Sequence, residues 1–465
     1  MYLETRDCFN RKKISRSPMA EDSLHIVVFP WLAFGHMIPY LHLSKILASL
    51  GHRISFLSTP RNLHRLPKLP SSLSSLIRFV PLPLPHSSHS TIADAESTTD
   101  LPRPIADFLF DAFDELRQPV ADFLRDLSPK PDWIVHDFAP FWLPAIAEEL
   151  GVPCAVFNTF PSFFAAFFGF IILKNEFSPS SFPFPLRIRS FEIKHIMENK
   201  RSDVPKVKVE DRWKTVYGSC KFVAIRGCDE FDGEWLRILK ESFEIPFVPV
   251  GLLTPERPEF NTGRMFDFLS KRTSGSVVYV SLGSEVALSV ELYHELALAL
   301  DLSTFTFVWV LRRPPGMAET VELLPDGFID RTAGRGIVAM DWAPQVGILG
   351  HEAVGAFLTH CGWSSLVEGL AFGRPLVMLP MIFDQGINSQ VMAEKKVGVE
   401  IERNEEDGSF TKDAVMKALR LVLVEEEGEE VRENARKMKD ICGNLELQET
   451  YVDKFVQYLR DHKQA

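Results

Sequence analysis

Several large functional classes leave marks that this chain lacks. Its six cysteines (Cys8, Cys154, Cys220, Cys228, Cys361 and Cys442) are scattered, with no CxxC pair and no regular spacing. That argues against a disulfide framework or a thiol-ligated zinc site, and points to a reducing compartment, the cytosol. No long run of Lys or Arg occurs outside a short N-terminal patch, and the net charge is −11. A polyanion finds no electrostatic footprint on such a chain, so nucleic acid is disfavoured as a partner. Residues 1–18 are polar and basic and lack the apolar centre of a secretory signal. Residues 1–22 are expected to form a disordered extension, and Met19 is a second possible start. No integral membrane segment is expected. The best candidate, Cys154 to Leu173, is interrupted by Asn158, Thr159, Pro161 and Ser162. It reads as a buried strand followed by a helix that lines an apolar pocket.

What is present is a folded chain of ordinary composition, 46% hydrophobic and 24% charged over 465 residues. That length favours more than one core. Short buried-strand patterns (His25 to Phe29, Arg53 to Ser58, Leu76 to Val80, Asp132 to His136, Val152 to Phe157) alternate with amphipathic stretches such as Ile38 to Leu50 and Ile105 to Leu127. This alternation is that of a parallel α/β sheet wrapped by helices. The rhythm breaks near Pro249 to Ser274 and resumes with Ser276 to Val280, Phe305 to Val310, Gly336 to Met340, Val354 to Leu358 and Pro375 to Leu379. We therefore expect Rossmann-like domains over 23–250 and 275–445, a linker over 251–274 and a closing helix within 446–465. Open parallel sheets bind ligands at the carboxyl ends of their strands, so the site belongs in the cleft between the halves. Glu176 to Lys221 reads as an irregular insertion over that cleft, and the acidic run Glu425 to Glu430 as a solvated loop or helix end.

The densest group of informative residues runs from Trp342 to Gln385, each cluster following a strand: Trp342-Ala343-Pro344-Gln345, then His360-Cys361-Gly362-Trp363-Ser364-Ser365, Glu368, and Asp384-Gln385. Helical periodicity begins after Gly362. A helix start there presents unpaired N–H groups and a partial positive charge suited to a diphosphate. His360, Ser364 and Ser365 add donors, and the chain has no Asp-x-Asp pair to hold a metal. Ser365 and Glu368 alone would read as a capping box. In company with an indole able to stack on a base, and a carboxylate beside an amide suited to vicinal hydroxyls, they describe a nucleotide-sugar site.

This stretch resembles the signature box of plant family-1 UDP-dependent glycosyltransferases, and the resemblance extends from Leu24 onward. It implies the GT-B fold, α/β with two Rossmann-like domains facing across a cleft, and a last helix near Glu446 to Arg460 that crosses back to the N-terminal domain. It also implies donor-site roles. Trp342 stacks on uracil, Ala343 and Gln345 touch base and ribose, and Glu368 binds ribose hydroxyls. His360, Ser364 and Ser365 bind the diphosphate, and Trp363, Asp384 and Gln385 hold the hexose. Ser284 matches a further phosphate contact, or is a plain strand-to-helix turn. Two departures bear on donor choice: Ser364 stands where most relatives have Asn, and Arg374 replaces the usual Val. Gln385 is the residue associated with glucose, so UDP-glucose is the first choice and UDP-rhamnose the second.

Transfer to a hydroxyl needs a base. His36 follows the first strand and lies at its carboxyl end. A lone histidine more often caps or packs, but Asp137, at the end of the strand Trp133 to His136, is placed to orient it as in a triad. The resemblance assigns the same pair, while His136, His42 and His52 read as structural. The implied reaction is an inverting displacement with UDP as leaving group and no metal cofactor. Trp31, Phe34, Phe138, Phe141, Trp142 and Phe160 cluster near strand ends and suit a flat apolar acceptor, although core packing explains most phenylalanines singly. Trp31 to His36 and Ser58 to Asn62 resemble the branch that extends sugars on flavonoid or terpenoid glycosides. The expected partners are a UDP-sugar and a small hydrophobic acceptor, and the expected state is a cytoplasmic monomer. The rival readings are a non-catalytic UDP-sugar binding protein and a GT-B-like epimerase.

Overall fold

A computed structural model of the protein describes residues 23–463 apart from 86–94, 103–104, 178, 200–204, 256–261, 287, 313–322 and 341–342. The N-terminal extension and Trp342 therefore lie outside the described residues.

Among the described residues, thirteen strands form two wholly parallel sheets. The first has the order β3-β2-β1-β4-β5-β6-β7, from β1 (His25–Phe29), β2 (Arg53–Ser58), β3 (Ile77–Pro81), β4 (Trp133–His136), β5 (Cys154–Asn158), β6 (Val223–Ile225) and β7 (Phe247–Pro249). The second has the order β10-β9-β8-β11-β12-β13, from β8 (Val277–Ser281), β9 (Thr306–Val310), β10 (Gly336–Ala339), β11 (Val354–Thr359), β12 (Leu376–Met378) and β13 (Gly398–Glu400). Central strands such as β1, β4 and β8 are buried along their whole length. That is why they read as continuous apolar runs: helices cover both faces of a parallel sheet. In each sheet the strand order reverses beside its first strand, between β1 and β4 and between β8 and β11. A crevice opens at such switch points.

Eight helices shape the crevice and its surroundings: α1 (Phe34–Ser49), α2 (Ser162–Gly169), α3 (Ser190–Asn199), α4 (Val209–Ser219), α5 (Asp229–Ser242), α6 (Trp363–Ala371), α7 (Gln385–Glu394) and α8 (Leu445–Asp461). One apolar core is continuous across both sheets, including Val27 and Ile134 from the first and Tyr279 and Phe357 from the second. The indole of Trp363 on α6 wedges between Phe163 on α2 and Phe231 on α5, with ring centroids 5.6 and 5.5 Å away.

Three expectations need correction. Ile105 to Leu127 is two helices, Phe108–Asp114 and Arg117–Asp126. Glu176 to Lys221 is not irregular throughout, since it contains α3 and α4, whose spacing its Pro and Phe content obscures. Three strands of three residues each, β6, β7 and β13, were not expected, whereas β12, equally short, was marked by the apolar run through Leu379.

The last helix, α8, runs back across the first sheet. Val452, Phe455, Val456 and Leu459 are buried in the core that includes Ile26, Val28 and Trp133, and the Trp133 indole N–H donates to the Leu459 carbonyl at 2.9 Å. Gln448 Oε1 accepts from the Leu252 amide at 2.6 Å. Gly251 (φ +78°) makes that approach possible, because a Cβ there would lie 2.7 Å from the same oxygen. Phe455 is fully buried, so Phe455→Ala is expected to lower unfolding stability by about 3–5 kcal/mol. Denaturant melts of the two proteins will check this, and a change under about 1 kcal/mol would show that α8 is not bound as described.

Candidate active site

Each switch point carries one half of the expected site. In the first sheet, Phe29 on β1 pairs with His136 on β4, so the residues just beyond both strands are neighbours. Asp137 N donates to the Phe29 carbonyl at 3.1 Å. Its carboxylate accepts from Trp31 N at 3.1 Å and Phe138 N at 2.8 Å. Held by two amides and almost fully buried, that carboxylate receives His36 Nδ1 at 2.8 Å. His36 lies in the first turn of α1, with its amide bonded to the Ala33 carbonyl. A carboxylate only accepts, so Nδ1 carries the proton and the Nε2 lone pair is left free. Thr159 Oγ1, just past β5, lies 3.3 Å from the same Nδ1.

Burial works to lower the His36 pKa, but the charge and hydrogen bond of Asp137 outweigh it and leave the imidazole above its ordinary 6.5. Glu285 and Asp384, both from the second half, push in the same direction. The imidazole therefore faces the other sheet closely enough to feel its acids.

In the second sheet, α6 begins at the end of β11 with Gly362 as its cap and no side-chain cap. The capping box read from Ser365 and Glu368 does not form. Instead Gln345 Nε2 donates to Glu368 Oε2 at 2.7 Å and Ser365 Oγ at 3.1 Å, while its oxygen accepts from the Tyr279 hydroxyl at 3.2 Å. Ala343, mostly buried, is joined to Gln345 by a main-chain bond of 2.8 Å. Burial raises the Glu368 pKa, with Gln345 and Arg226 opposing. His360 is half-buried, and desolvation lowers its pKa to about 4, so it is a neutral ring. Its Nε2 lies against both Gly283 and Gly362, where a Cβ at either would come within 2.5 Å. The Gly283 φ of +77° turns the chain so that Ser284 is exposed at the crevice.

Asp384 and Gln385 open α7. Burial raises the Asp384 pKa to about 6, opposed by a hydrogen bond from Asn388. Gln385 Oε1 accepts from Met381 N and Ile382 N, both at 3.0 Å. The amide thus offers a ligand its N–H groups, not the two-way pairing expected of it.

Other expected residues are distributed less evenly. The Trp363 side chain is interior, so any contact with a bound sugar runs through its main-chain amide, first in α6. Phe138 and Phe160 flank His36, with ring centroids 5.9 and 5.3 Å away. Trp31 is stacked on Phe110 at 4.1 Å. Trp142 is a core residue, its N–H bonded to Asp114 and its ring against Phe29. Phe34 lies under Arg65 and against the opposite core, and Phe141 lies under Arg212. Phe34, Phe141 and Trp142 are thus turned to other tasks, because a residue near a strand end can point to either face of the sheet. Trp213, stacked on Phe138 at 4.7 Å, and Thr159 were missed. Thr159 was findable as a residue directly after a strand, while Trp213 comes from α4, inside the insertion. Arg374 donates to the carbonyls of Leu349, His351 and Val354. It therefore braces the start of β11, at the end away from the site.

Comparison with known proteins identifies the family and the fold. Residues 249–444 match the family described as UDP-glucoronosyl and UDP-glucosyl transferase. The chain is 42% identical to UDP-glycosyltransferase 91C1 of Arabidopsis thaliana over 95% of its own length and 97% of that protein's. The chain is a plant family-1 UDP-glycosyltransferase. It is also 38% identical to the soyasaponin III rhamnosyltransferase of Glycine max, over 95% of this chain and 96% of that one. In fold it resembles TcCGT1, solved in complex with UDP, with a TM-score of 0.79 at 23% identity over 94% of this chain and 99% of that one. A UDP-glucosyltransferase from Polygonum tinctorium gives 0.75 at 25% identity, over 94% and 99%. The two facing parallel sheets are thus the GT-B arrangement.

If His36 is the base of this transferase, it must be unprotonated to work. Activity (kcat/KM) is then expected to rise with pH along a limb centred above the ordinary histidine value of 6.5. Asp137→Asn removes the charge that raises the pKa, so the limb should move to lower pH while the rate falls about a thousand-fold or more. A pH–rate profile of both proteins will check this, and an unmoved limb would dissociate the pair from catalysis.

Proposed function

We propose that this transferase moves a hexose, glucose first, from its UDP-sugar to a hydroxyl of a small hydrophobic plant metabolite or its glycoside, with inversion and without a metal. The observation that carries the reading is the His36 to Asp137 bond at 2.8 Å, which leaves Nε2 free opposite Asp384 and the start of α6. His36 Nε2 takes the acceptor proton as that oxygen bonds to the anomeric carbon. The bond from that carbon to the phosphate oxygen breaks, and UDP leaves with the electron pair. Asp137 stabilises the imidazolium through Nδ1–H, and the amides opening α6 receive the departing charge. Ser284, Ser364 and Ser365 are assigned to the diphosphate, Gln345 and Glu368 to the nucleoside, and Asp384 and Gln385 to the hexose. Phe138 and Phe160, on either side of the base, make the wall for a flat acceptor.

Rhamnose is the second reading, favoured by the named rhamnosyltransferase among the relatives and by the Gln385 oxygen being already occupied. The protein is expected to work as a cytoplasmic monomer. No helix among the described residues is long and apolar enough to cross a membrane. His136, Cys154 and Cys220 bring three possible metal-ligand atoms within 4.8 Å of one another. They already satisfy one another, with Cys220 Sγ 3.3 Å from His136 Nε2 and 3.7 Å from Cys154 Sγ, and take no part in this scheme.

Incubation with UDP-glucose, UDP-rhamnose and a panel of plant glycosides, read by mass spectrometry, should give glycosylated product that is undiminished by EDTA. His36→Ala should abolish transfer while leaving UDP binding nearly intact. Loss of activity on chelation, or full turnover in that variant, would overturn the mechanism. Release of UDP from UDP-glucose without an acceptor would favour an epimerase instead.

A further inference from the structure

Arg226 is the residue directly after β6, at the same carboxyl edge of the first sheet as Asp137 and Thr159. It is 3% exposed. Its Nε donates to the Leu252 carbonyl at 2.7 Å and its Nη1 to Ser364 Oγ at 2.7 Å. Ser364 is the second residue of α6, so the guanidinium reaches across from one sheet to the helix start belonging to the other.

That is an unfavourable place for a cation. It is out of water, and the nearby helix end carries partial positive charge of its own. Among the described residues no carboxylate forms an ion pair with it. Glu368 acts on it only through space, and burial lowers its pKa to about 10. Glu368 is itself engaged by Gln345. The partners Arg226 does have, a hydroxyl and a carbonyl, are neutral. A buried guanidinium is retained next to a helix start when an anion completes it.

We infer that Arg226 is a catalytic residue, whose guanidinium pairs with the diphosphate of the UDP-sugar. The inference rests on the reading of the α6 start as the diphosphate site. His360 is neutral and the three serines carry no charge, so Arg226 brings formal positive charge to the leaving group. As the bond from the anomeric carbon to oxygen breaks, the diphosphate gains one negative charge. A fixed cation in a dry site stabilises that gain in the way a divalent ion does in metal-dependent transferases. Because Arg226 comes from the first sheet and the helix from the second, the same pairing also fastens the cleft around the donor.

The test is calorimetric titration of wild type, Arg226→Gln and Arg226→Lys with UDP and with uridine, which lacks the phosphates. UDP affinity should fall on the order of ten- to hundred-fold in Arg226→Gln and less in Arg226→Lys. Uridine affinity should stay within about twofold, and kcat should fall with UDP affinity. Unchanged UDP affinity in Arg226→Gln, with wild type binding UDP well, overturns this inference alone. A parallel loss of UDP and uridine makes Arg226 a structural tie and overturns it too. A wild-type protein that binds no UDP sinks the donor-site reading and this inference together. Should Arg226→Gln melt below the assay temperature, Arg226→Lys carries the same comparison, with a several-fold loss confined to UDP expected and a parallel loss overturning it.

Discussion

The two halves of this protein's chemistry are built on different sheets, so the distance between them is the constraint on which everything else depends. Trp363 sets it. The residue opens α6 and drives its indole between Phe163 and Phe231 of the other half, in a core that runs unbroken through both sheets. Aromatic edge contacts of this kind have defined geometry as well as buried area, and a close-packed interior transmits position from one element to the next. The helix start is thereby fixed opposite the ends of β1, β4, β5 and β6. The crossing of α8 back to the first sheet adds a second fastening.

Within the cleft, burial pushes the titratable groups toward their neutral forms. It raises Asp384 and Glu368 and lowers His360 and Arg226. His36 is the exception, raised despite burial, because Asp137 is held by two main-chain amides and cannot turn away from it. In the proposed reaction, an imidazole whose orientation and tautomer are fixed by a buried carboxylate, facing a helix start that favours anions, keeps proton uptake apart from leaving-group stabilisation. Each task is then assigned to the sheet whose switch point supplies the appropriate groups.

Much of this was legible in order along the chain. Apolar runs marked ten of the thirteen strands, because strands buried on both faces must be apolar throughout. The residues at or a few positions beyond the carboxyl ends of those strands, His36, Asp137, Ser284, His360 and Asp384, could be named because chemistry in parallel sheets collects there. The strands β6, β7 and β13, the helices inside the Glu176 to Lys221 segment and the split of Ile105 to Leu127 were not legible, since each is short or masked by its composition.

Which face a side chain takes was decided only by folding. Phe138 and Phe160 turned toward His36, while Phe34, Phe141 and Trp142 turned elsewhere; their sequence neighbourhoods are alike, and packing made the choice. The Gln385 oxygen went to two main-chain amides and the Trp363 indole to the interior, neither of which residue type could reveal. Arg226 gave no signal at all, following a strand that was not read from the sequence and bonding to a helix residue 138 positions away. The sequence by itself determined most strands of the two sheets and which residues lie at their carboxyl ends, because these are local patterns. The tertiary structure alone decided what meets across the cleft, because such contacts join residues that no local pattern relates.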